Sequence, residues 1–371
     1  MTVRLFQRAA SHVAPGSQPP VTTTLGIHRS GFCGTDSSLF GDIGCITGVR
    51  LAIWSLEIVA YPHPNSVDHS RFRFDFLEKL PGVTVLRLVN SRIDEQVRVT
   101  LARHIGGTVK RLDLSLFGYE DVRDAIALIA SFPFLEELAV DWLTPSTYHA
   151  HDIHFPQASP HLRLRTLGIG YQLRSICPIV KWLVCDPAQS RIKSLQAEVR
   201  DKQDAHVLHS FLAESFGAVL EHLELHAMPF GNLDSTFGAS EFSLVECTAL
   251  RSFVLRISIE EMCTQDNLSL LWARALLAQL SSPHIETLVL SLRVDNMQNV
   301  QASECMTREL STASFNDLRA LDWEGIEQTL ADSRFDSLKK FVLEGCGEST
   351  LLLSYIEERC PGLHARGCWL L

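Results

Sequence analysis

No stretch of the chain runs to eighteen apolar residues, which removes membrane-spanning helices from the readings open to it. Basic residues are outnumbered: 33 Lys and Arg stand against 43 Asp and Glu, for a formal net charge of −10, and the Lys and Arg are not clustered. A phosphate-backbone binder gains affinity by releasing counterions against clustered cations, so neither nucleic acid nor a membrane is an expected partner. CxxC pairs are missing too. The 10 cysteines, at 33, 45, 177, 185, 247, 263, 305, 346, 360 and 368, point to free or buried thiols in a reducing compartment. There is no GxSxG, hence no nucleophile elbow. Pro, Gly and Ser concentrate only in residues 14–20, so no long disordered tract is expected.

What the chain does have is a repeated phrase. Leu220-Glu-His-Leu223-Glu-Leu225 is apolar at positions one, four and six, and the spacing recurs at Val83/Leu86/Leu88, Val109/Leu112/Leu114, Leu135/Leu138/Val140, Leu164/Leu167/Ile169 and Ile192/Leu195/Ala197. It continues at Leu250/Phe253/Leu255, Ile285/Leu288/Leu290, Leu318/Leu321/Trp323 and Leu338/Phe341/Leu343, with a weaker copy at Leu363. Successive copies start 26, 26, 29, 28, 28, 30, 35, 33 and 20 residues apart, periods that suit leucine-rich repeats. Positions four and six of a short strand point the same way, so stacked copies bury a shared face that one copy alone cannot.

The segments between the strands read as helices. Residues 94–105 are apolar at Val97, Leu101 and Ile105, and residues 121–129, 205–212 and 268–277 repeat the 3.6-residue spacing. The expected fold is therefore α/β: a leucine-rich-repeat solenoid of about 11–12 repeats, a horseshoe or arc with a parallel concave sheet and convex helices. It is expected to span residues 46–371, after an irregular N-terminal segment and cap at 1–45.

The ends and irregular intervals carry further expectations. Ile46-Thr-Gly-Val49-Arg-Leu51-Ala-Ile53-Trp54 reads as the first repeat, with an inserted loop at 62–69, and residues 24–27 as one strand more. Residues 350–359 read as a final helix, with an edge strand ending near Trp369. The long units hold polar insertions at 258–266 and 294–308; the short one after Trp323 leaves room for about one turn at 326–331. No acid precedes Asp36, while Arg4, Arg8, His12 and Arg29 do. Two readings stand, a mitochondrial presequence and an acid-poor lead-in; Pro15, Pro19 and Pro20, which confine any helix to residues 3–10, favour the second. Localisation is expected to be cytoplasmic or nuclear.

Candidate chemistry is sparse. Tyr148-His149-Ala-His151-Asp152-Ile-His154 groups three imidazoles and a carboxylate, but i, i+2, i+5 spacing lacks the helical i, i+4 geometry of zinc enzymes and reads as a solvated loop. Gly168-Ile-Gly170 lacks both a third glycine and a following helix start, so it reads as strand and turn. Ser349 reads as a helix N-cap and Cys346 as a buried turn residue. No metal, cofactor or catalytic residue is expected.

Positions three, five and seven of each strand must face away from the leucines. Arg111, Asp113, Glu137, Asp141, Gln196, Glu198, His222, Glu224, His226 and Arg256 are the candidate partner-binding residues on that concave face. Val254, Val289 and Val342 form an apolar stripe further along, and Ala320, Asp322 and Glu324 are assigned to the copy between the last two. Such a wall suits a protein partner.

Leu220-Glu-His-Leu-Glu-Leu225, Leu135-Glu-Glu-Leu-Ala-Val140, Ile285-Glu-Thr-Leu-Val-Leu290 and Leu338-Lys-Lys-Phe-Val-Leu-Glu-Gly-Cys346 resemble the leucine-rich-repeat portion of F-box proteins, particularly the divergent fungal kind. The resemblance covers residues 46–371. Of the Asn or Cys typical at position nine, only Cys346 is present. The resemblance implies the substrate-recognition arm of a Skp1-cullin-type ubiquitin ligase, with those subunits as partners. Residues 1–45 lack the Leu-Pro start and amphipathic helices of an F-box, which points to a lost module or an incomplete N-terminus. The expected function is non-enzymatic protein-protein interaction. The alternatives are a ribonuclease-inhibitor-like regulator of an enzyme and, last, a metal-dependent enzyme using His149 to His154 or a thiol enzyme using Cys346.

Overall fold

An apolar pair at positions four and six between polar neighbours demands a strand buried on one face, and that is what forms. The computed structural model describes residues 2–8, 22–28, 53–59, 77–78, 80, 82–90, 95–119, 122–145, 162–170, 173–184, 192–227, 242–259, 270–294, 321–344, 357–362 and 369–370. The chain divides into two units, residues 1–171 with 178–189 and residues 172–177 with 190–371.

In the first unit, β1 (Thr2–Arg8), β2 (Thr22–His28), β3 (Ile53–Val59), β4 (Val85–Val89), β5 (Arg111–Tyr119), β6 (Glu137–Pro145) and β7 (Thr166–Ile169) follow one another in the order β2-β1-β3-β4-β5-β6-β7. β3 to β7 are parallel and in register: Leu56, Leu86, Leu112, Leu138 and Leu167 make one inward row, and Ile58, Leu88, Leu114, Val140 and Ile169 the next. None of the ten is more than 4% exposed. Burial of each large one is worth roughly 1.5–3 kcal/mol relative to leaving it in water.

The second unit repeats the plan with β8 (Ser194–Val199), β9 (His222–Ala227), β10 (Ser252–Ile259), β11 (Thr287–Val294), β12 (Lys340–Glu344) and β13 (Trp369–Leu370), again parallel and in chain order. Its inward rows are Leu195, Leu223, Phe253, Leu288 and Phe341, then Ala197, Leu225, Leu255, Leu290 and Leu343, none above 2% exposed.

One backbone device recurs in both units. The position-two carbonyl of a strand's lead-in accepts two N–H groups, from positions two and three of the next. Thr84 O serves Lys110 and Arg111, Lys110 O serves Glu136 and Glu137, and Lys193 O serves His222 and Glu221; Glu221 O, Arg251 O and Glu286 O continue the series. These bonds satisfy the backbone ahead of each strand and pin its register.

The helices are α1 (Glu95–Ile105), α2 (Val122–Ala130), α3 (Leu173–Val184), α4 (Lys202–Phe211), α5 (Leu271–Gln279) and α6 (Trp323–Leu330). α1, α2, α4 and α5 stand where the 3.6-residue spacing predicts them. Gly106 follows α1 because a Cβ there would sit 2.3 Å from Ala102 O and 2.9 Å from Ser131 O. Asp201 caps α4, its Oδ1 accepting from the N–H groups of Gln203 and Asp204 at 2.9 Å. At the end of α5, Arg334 donates from Nη1 to Ala278 O at 2.8 Å and Leu280 O at 3.2 Å, placing a cation on the helix C-terminus.

Four sequence expectations are corrected. First, Leu318/Leu321/Trp323 is not a strand copy: Trp323 opens α6, a helix of 8 residues rather than one turn, with Asp322 as its N-cap, and β11 pairs directly with β12. Second, the first repeat is shifted. Leu56 and Ile58, not Val49 and Leu51, align with Leu86 and Leu88, so Ile53 holds position one. Third, residues 2–8, read as part of an acid-poor, irregular lead-in, form a strand that pairs antiparallel with both β2 and β3. Residues 1–45 therefore contain two strands, the second of them at the anticipated 24–27. Fourth, a helix does start after Gly170. α3 contains Pro178, yet Leu173, Ile176, Ile179, Val180 and Trp182 are at most 1% exposed. Burial of that stripe outweighs the roughly 3 kcal/mol an interior proline costs. Residues 62–69, 260–266, 295–308 and 350–356 lie outside the described residues.

Candidate functional site

Each unit presents, opposite its buried leucines, an outward face built from positions three, five and seven. Register places these side chains in rows, so residues far apart in sequence become lateral neighbours about 4.8 Å apart.

In the first unit the rows bring together Glu57, Arg87, Asp113, Arg111 and Glu137. Asp113 lies at the centre: its Oδ2 accepts from Arg87 Nε at 3.0 Å and its Oδ1 from Arg111 Nε at 2.9 Å. Arg111 Nη1 reaches Glu137 Oε2 at 3.4 Å, and Arg87 Nη1 lies 3.9 Å from Glu57 Oε1. The hydrogen bond to Asp113 raises the Arg111 pKa, with the nearby charges of Asp113 and Glu137 adding to it against the burial. Asp113 itself is 7% exposed, so among the candidate contact residues it organises the two arginines from beneath instead of meeting a partner. Arg111, Glu137 and Asp141 are exposed. Beyond Asp141 the surface is lined with backbone: a Cβ on Gly170 would fall 2.4 Å from Asp141 Oδ1, so the missing side chain makes room for that carboxylate.

In the second unit Glu224 is the hub. Its Oε1 receives His226 Nε2 and Arg256 Nε, each at 2.7 Å, and Arg256 Nη1 donates to Glu344 Oε2 at 2.8 Å. Facing an acceptor-only carboxylate, His226 Nε2 carries a hydrogen; the Gln196 amide lies 3.3 Å from the same nitrogen. The His226 hydrogen bond, followed by that of Arg256, holds the Glu224 carboxyl down at about 2 despite opposing burial. Arg256 is raised, chiefly by its bond to Glu224. Glu198 is engaged by Arg200, Nε to Oε1 at 2.6 Å, and His222 is exposed at position three of β9. Row five then changes character: Gln196 and Glu224 give way to Val254, Val289 and Val342, in register and partly exposed.

The sequence reading located all ten candidates on outward positions but missed their partners: Arg87 and Glu344 sat at the same positions unselected, and Glu57 was left out by the shifted first repeat. Ala320 lies outside the described residues, while Asp322 and Glu324 belong to the start of α6 and not to this face. A second array also went unread. Position two alternates in sign, Lys110, Glu136, Arg165 in one unit and Lys193, Glu221, Arg251, Glu286, Lys339 in the other. Lys110 Nζ meets Glu136 at 3.0 Å, Lys193 meets Glu221, and Glu286 lies 3.6 Å from Arg251 and 3.1 Å from Lys339. Lining up the copies by their leucines exposes that alternation.

No group of three His, Cys, Asp or Glu among the described residues is placed to hold a metal. Burial pushes the thiols of Cys247 and Cys360 up to about 12, where they stay protonated. The tract at 148–154, Cys346 and Ser349 lie outside the described residues. No described helix is long and apolar enough to cross a membrane.

Comparison of the chain with protein-family models and with curated proteins returns no match.

Proposed function

We propose that the chain is a non-enzymatic leucine-rich-repeat scaffold that recognises a protein partner through the outward faces of its parallel strands, acting as the substrate-recognition arm of a Skp1-cullin-type ubiquitin ligase. The observation that carries the recognition role is the register. Consecutive strands commit positions four and six to the interior and leave three, five and seven as an ordered array whose arginines and carboxylates hold one another in place. A pre-organised polar face of this kind loses little side-chain freedom on binding, which is where much of the cost of association lies. The ligase role rests on the resemblance of the repeats to those of F-box proteins.

Affinity capture of the tagged full chain, followed by mass spectrometry, tests both parts. Wild type is expected to recover a protein partner together with Skp1 and a cullin, and Arg111→Glu or Arg256→Glu to lose the partner while keeping Skp1. Partner recovery insensitive to both substitutions would remove the outward faces from the proposal; absence of Skp1 and cullin from every sample would remove the ligase role.

A further inference from the structure

Along the outward face of the second unit, row five places Val254, Val289 and Val342 on three successive strands, β10, β11 and β12. The sequence alone put Asp322 between the last two; with that copy gone into α6, the strip is continuous. Row five ends on β9 in Glu224, and the position-seven side of the strip is bordered by Arg256 and Glu344. Arg256 engages both carboxylates, reaching across β11 to Glu344 above Ser291, which is 7% exposed. Two carboxylates thus share one guanidinium, so the cluster of Glu224, Arg256 and Glu344, at the β9 end and along the position-seven side of the strip, carries one carboxylate in excess. The position-three border is Ser252, Thr287 and, on β12, the exposed Lys340.

We propose that this strip docks an amphipathic α-helix of the partner protein. The helix lies across the strands, its apolar side chains at i, i+4 and i+7 on the three valines, Lys or Arg toward Glu224 and Glu344, and a polar or acidic residue toward Lys340. Spacing selects helix over extended chain. Neighbouring strands set the valines about 4.8 and about 9.6 Å along the row. A helix places i+4 and i+7 about 6 and about 10.5 Å along its axis. An extended segment places i+2 and i+4 about 6.7 and about 13.4 Å away, overshooting the third valine by roughly 4 Å. The excess carboxylate of the Glu224, Arg256 and Glu344 cluster supplies the charge complementarity, and hydrophobic anchors at i, i+4 and i+7 are what a helix in a groove offers. The inference rests on the outward face being the recognition surface.

Panning a displayed library of random sixteen-residue peptides on the full chain tests it. Enriched peptides are expected to carry apolar residues at i, i+4 and i+7 with Lys or Arg on one flank, and to become helical by circular dichroism on binding. They are expected to bind Val289→Asp at least tenfold more weakly, and the triple variant Val254→Thr, Val289→Thr, Val342→Thr likewise; threonine keeps valine's shape and strand preference, so the triple variant guards against a folding artefact. Apolar residues alternating at i, i+2 and i+4, binding indifferent to both valine variants, or no enrichment at all would each overturn the proposal. Peptides indifferent to the valines but weakened by Glu137→Lys or Arg111→Glu would do so while leaving outward-face recognition standing. Indifference to every one of these variants would sink both.

Discussion

Replacing Glu224 with Gln removes the charge on which the second unit's outward network converges, and the cost is set by how strongly the folded chain prefers the carboxylate. The Glu224 carboxyl falls from an ordinary 4.5 to about 2, chiefly through the His226 hydrogen bond and then that of Arg256. At full strength such a drop corresponds to about 3 kcal/mol, since each tenfold change in proton affinity is about 1.4 kcal/mol. The side chain is 28% exposed, so solvent screening reduces this to about 1–2 kcal/mol. Because the folded pKa is depressed, the stabilisation is present in full above pH 4.5 and is lost as pH falls toward about 2. Urea unfolding of wild type and Glu224→Gln across that range reads it: the variant's midpoint is lower at pH 7 with an unchanged slope, and the gap closes on acidification. A gap of the same size at pH 7 and pH 2.5, or no gap at pH 7, would refute the reasoning, because either shows that the charge on Glu224 is not what the network stabilises.

Leu116 adopts φ 51° although it is 44% exposed, and Asn90 occupies the equivalent place one repeat earlier with φ 49°. Leu116→Asn copies that neighbour and is expected to raise the thermal midpoint by relieving about 1 kcal/mol of left-handed strain; a lowered midpoint would mean that Leu116 makes a stabilising contact. Glu286→Lys sets three cations in a row with Arg251 and Lys339, so the melting temperature should fall in low salt and recover in 1 M NaCl, where the Debye length is about 3 Å. A loss unaffected by salt would argue against a charge effect. Cys247 and Cys360, held protonated by burial, should resist iodoacetamide at pH 8 until the chain is unfolded in urea; peptide mapping that finds either alkylated in the native protein would contradict their placement.

The inward rows were legible in the sequence because burial there is uniform: an apolar side chain at four and six answers the same demand in every repeat, so the period survives the variation around it. Outward positions were legible for the same geometric reason, but their pairings were not. Arg256 and Glu344 stand 88 residues apart and on strands that are not neighbours; only a long guanidinium stem crossing above a small serine joins them. The Glu57, Arg87 and Asp113 contacts likewise depend on three strands at once. α3 carries an interior proline, Pro178, a local signal that tertiary burial overrides, and β1 lies in an acid-poor stretch whose arginines suggested a presequence.

The misplaced copy at Leu318 shows where pattern and physics part. Leu318, Leu321 and Trp323 satisfy one, four and six, and Asp322 and Glu324 satisfy the exposed positions between and after them. The same residues satisfy a helix entrance equally well: Asp322 accepts from Gly325 N at 3.0 Å as an N-cap, while Trp323, Ile326 and Leu330 take up helical spacing and are at most 4% exposed. The interval decides between them. Only 20 residues would separate that copy from Leu338, too few for a strand, a full return helix and a second turn, whereas the distance from Ile285 accommodates one repeat with a long insertion. Reassigning those residues also changes the face on the other side of the sheet. Asp322 leaves row five, Arg274 Nη1 binds its carboxylate at 2.7 Å beside α6, and Val289 becomes the direct neighbour of Val342. An apolar strip three strands wide therefore exists only because a charged residue that fits the repeat was used to start a helix instead.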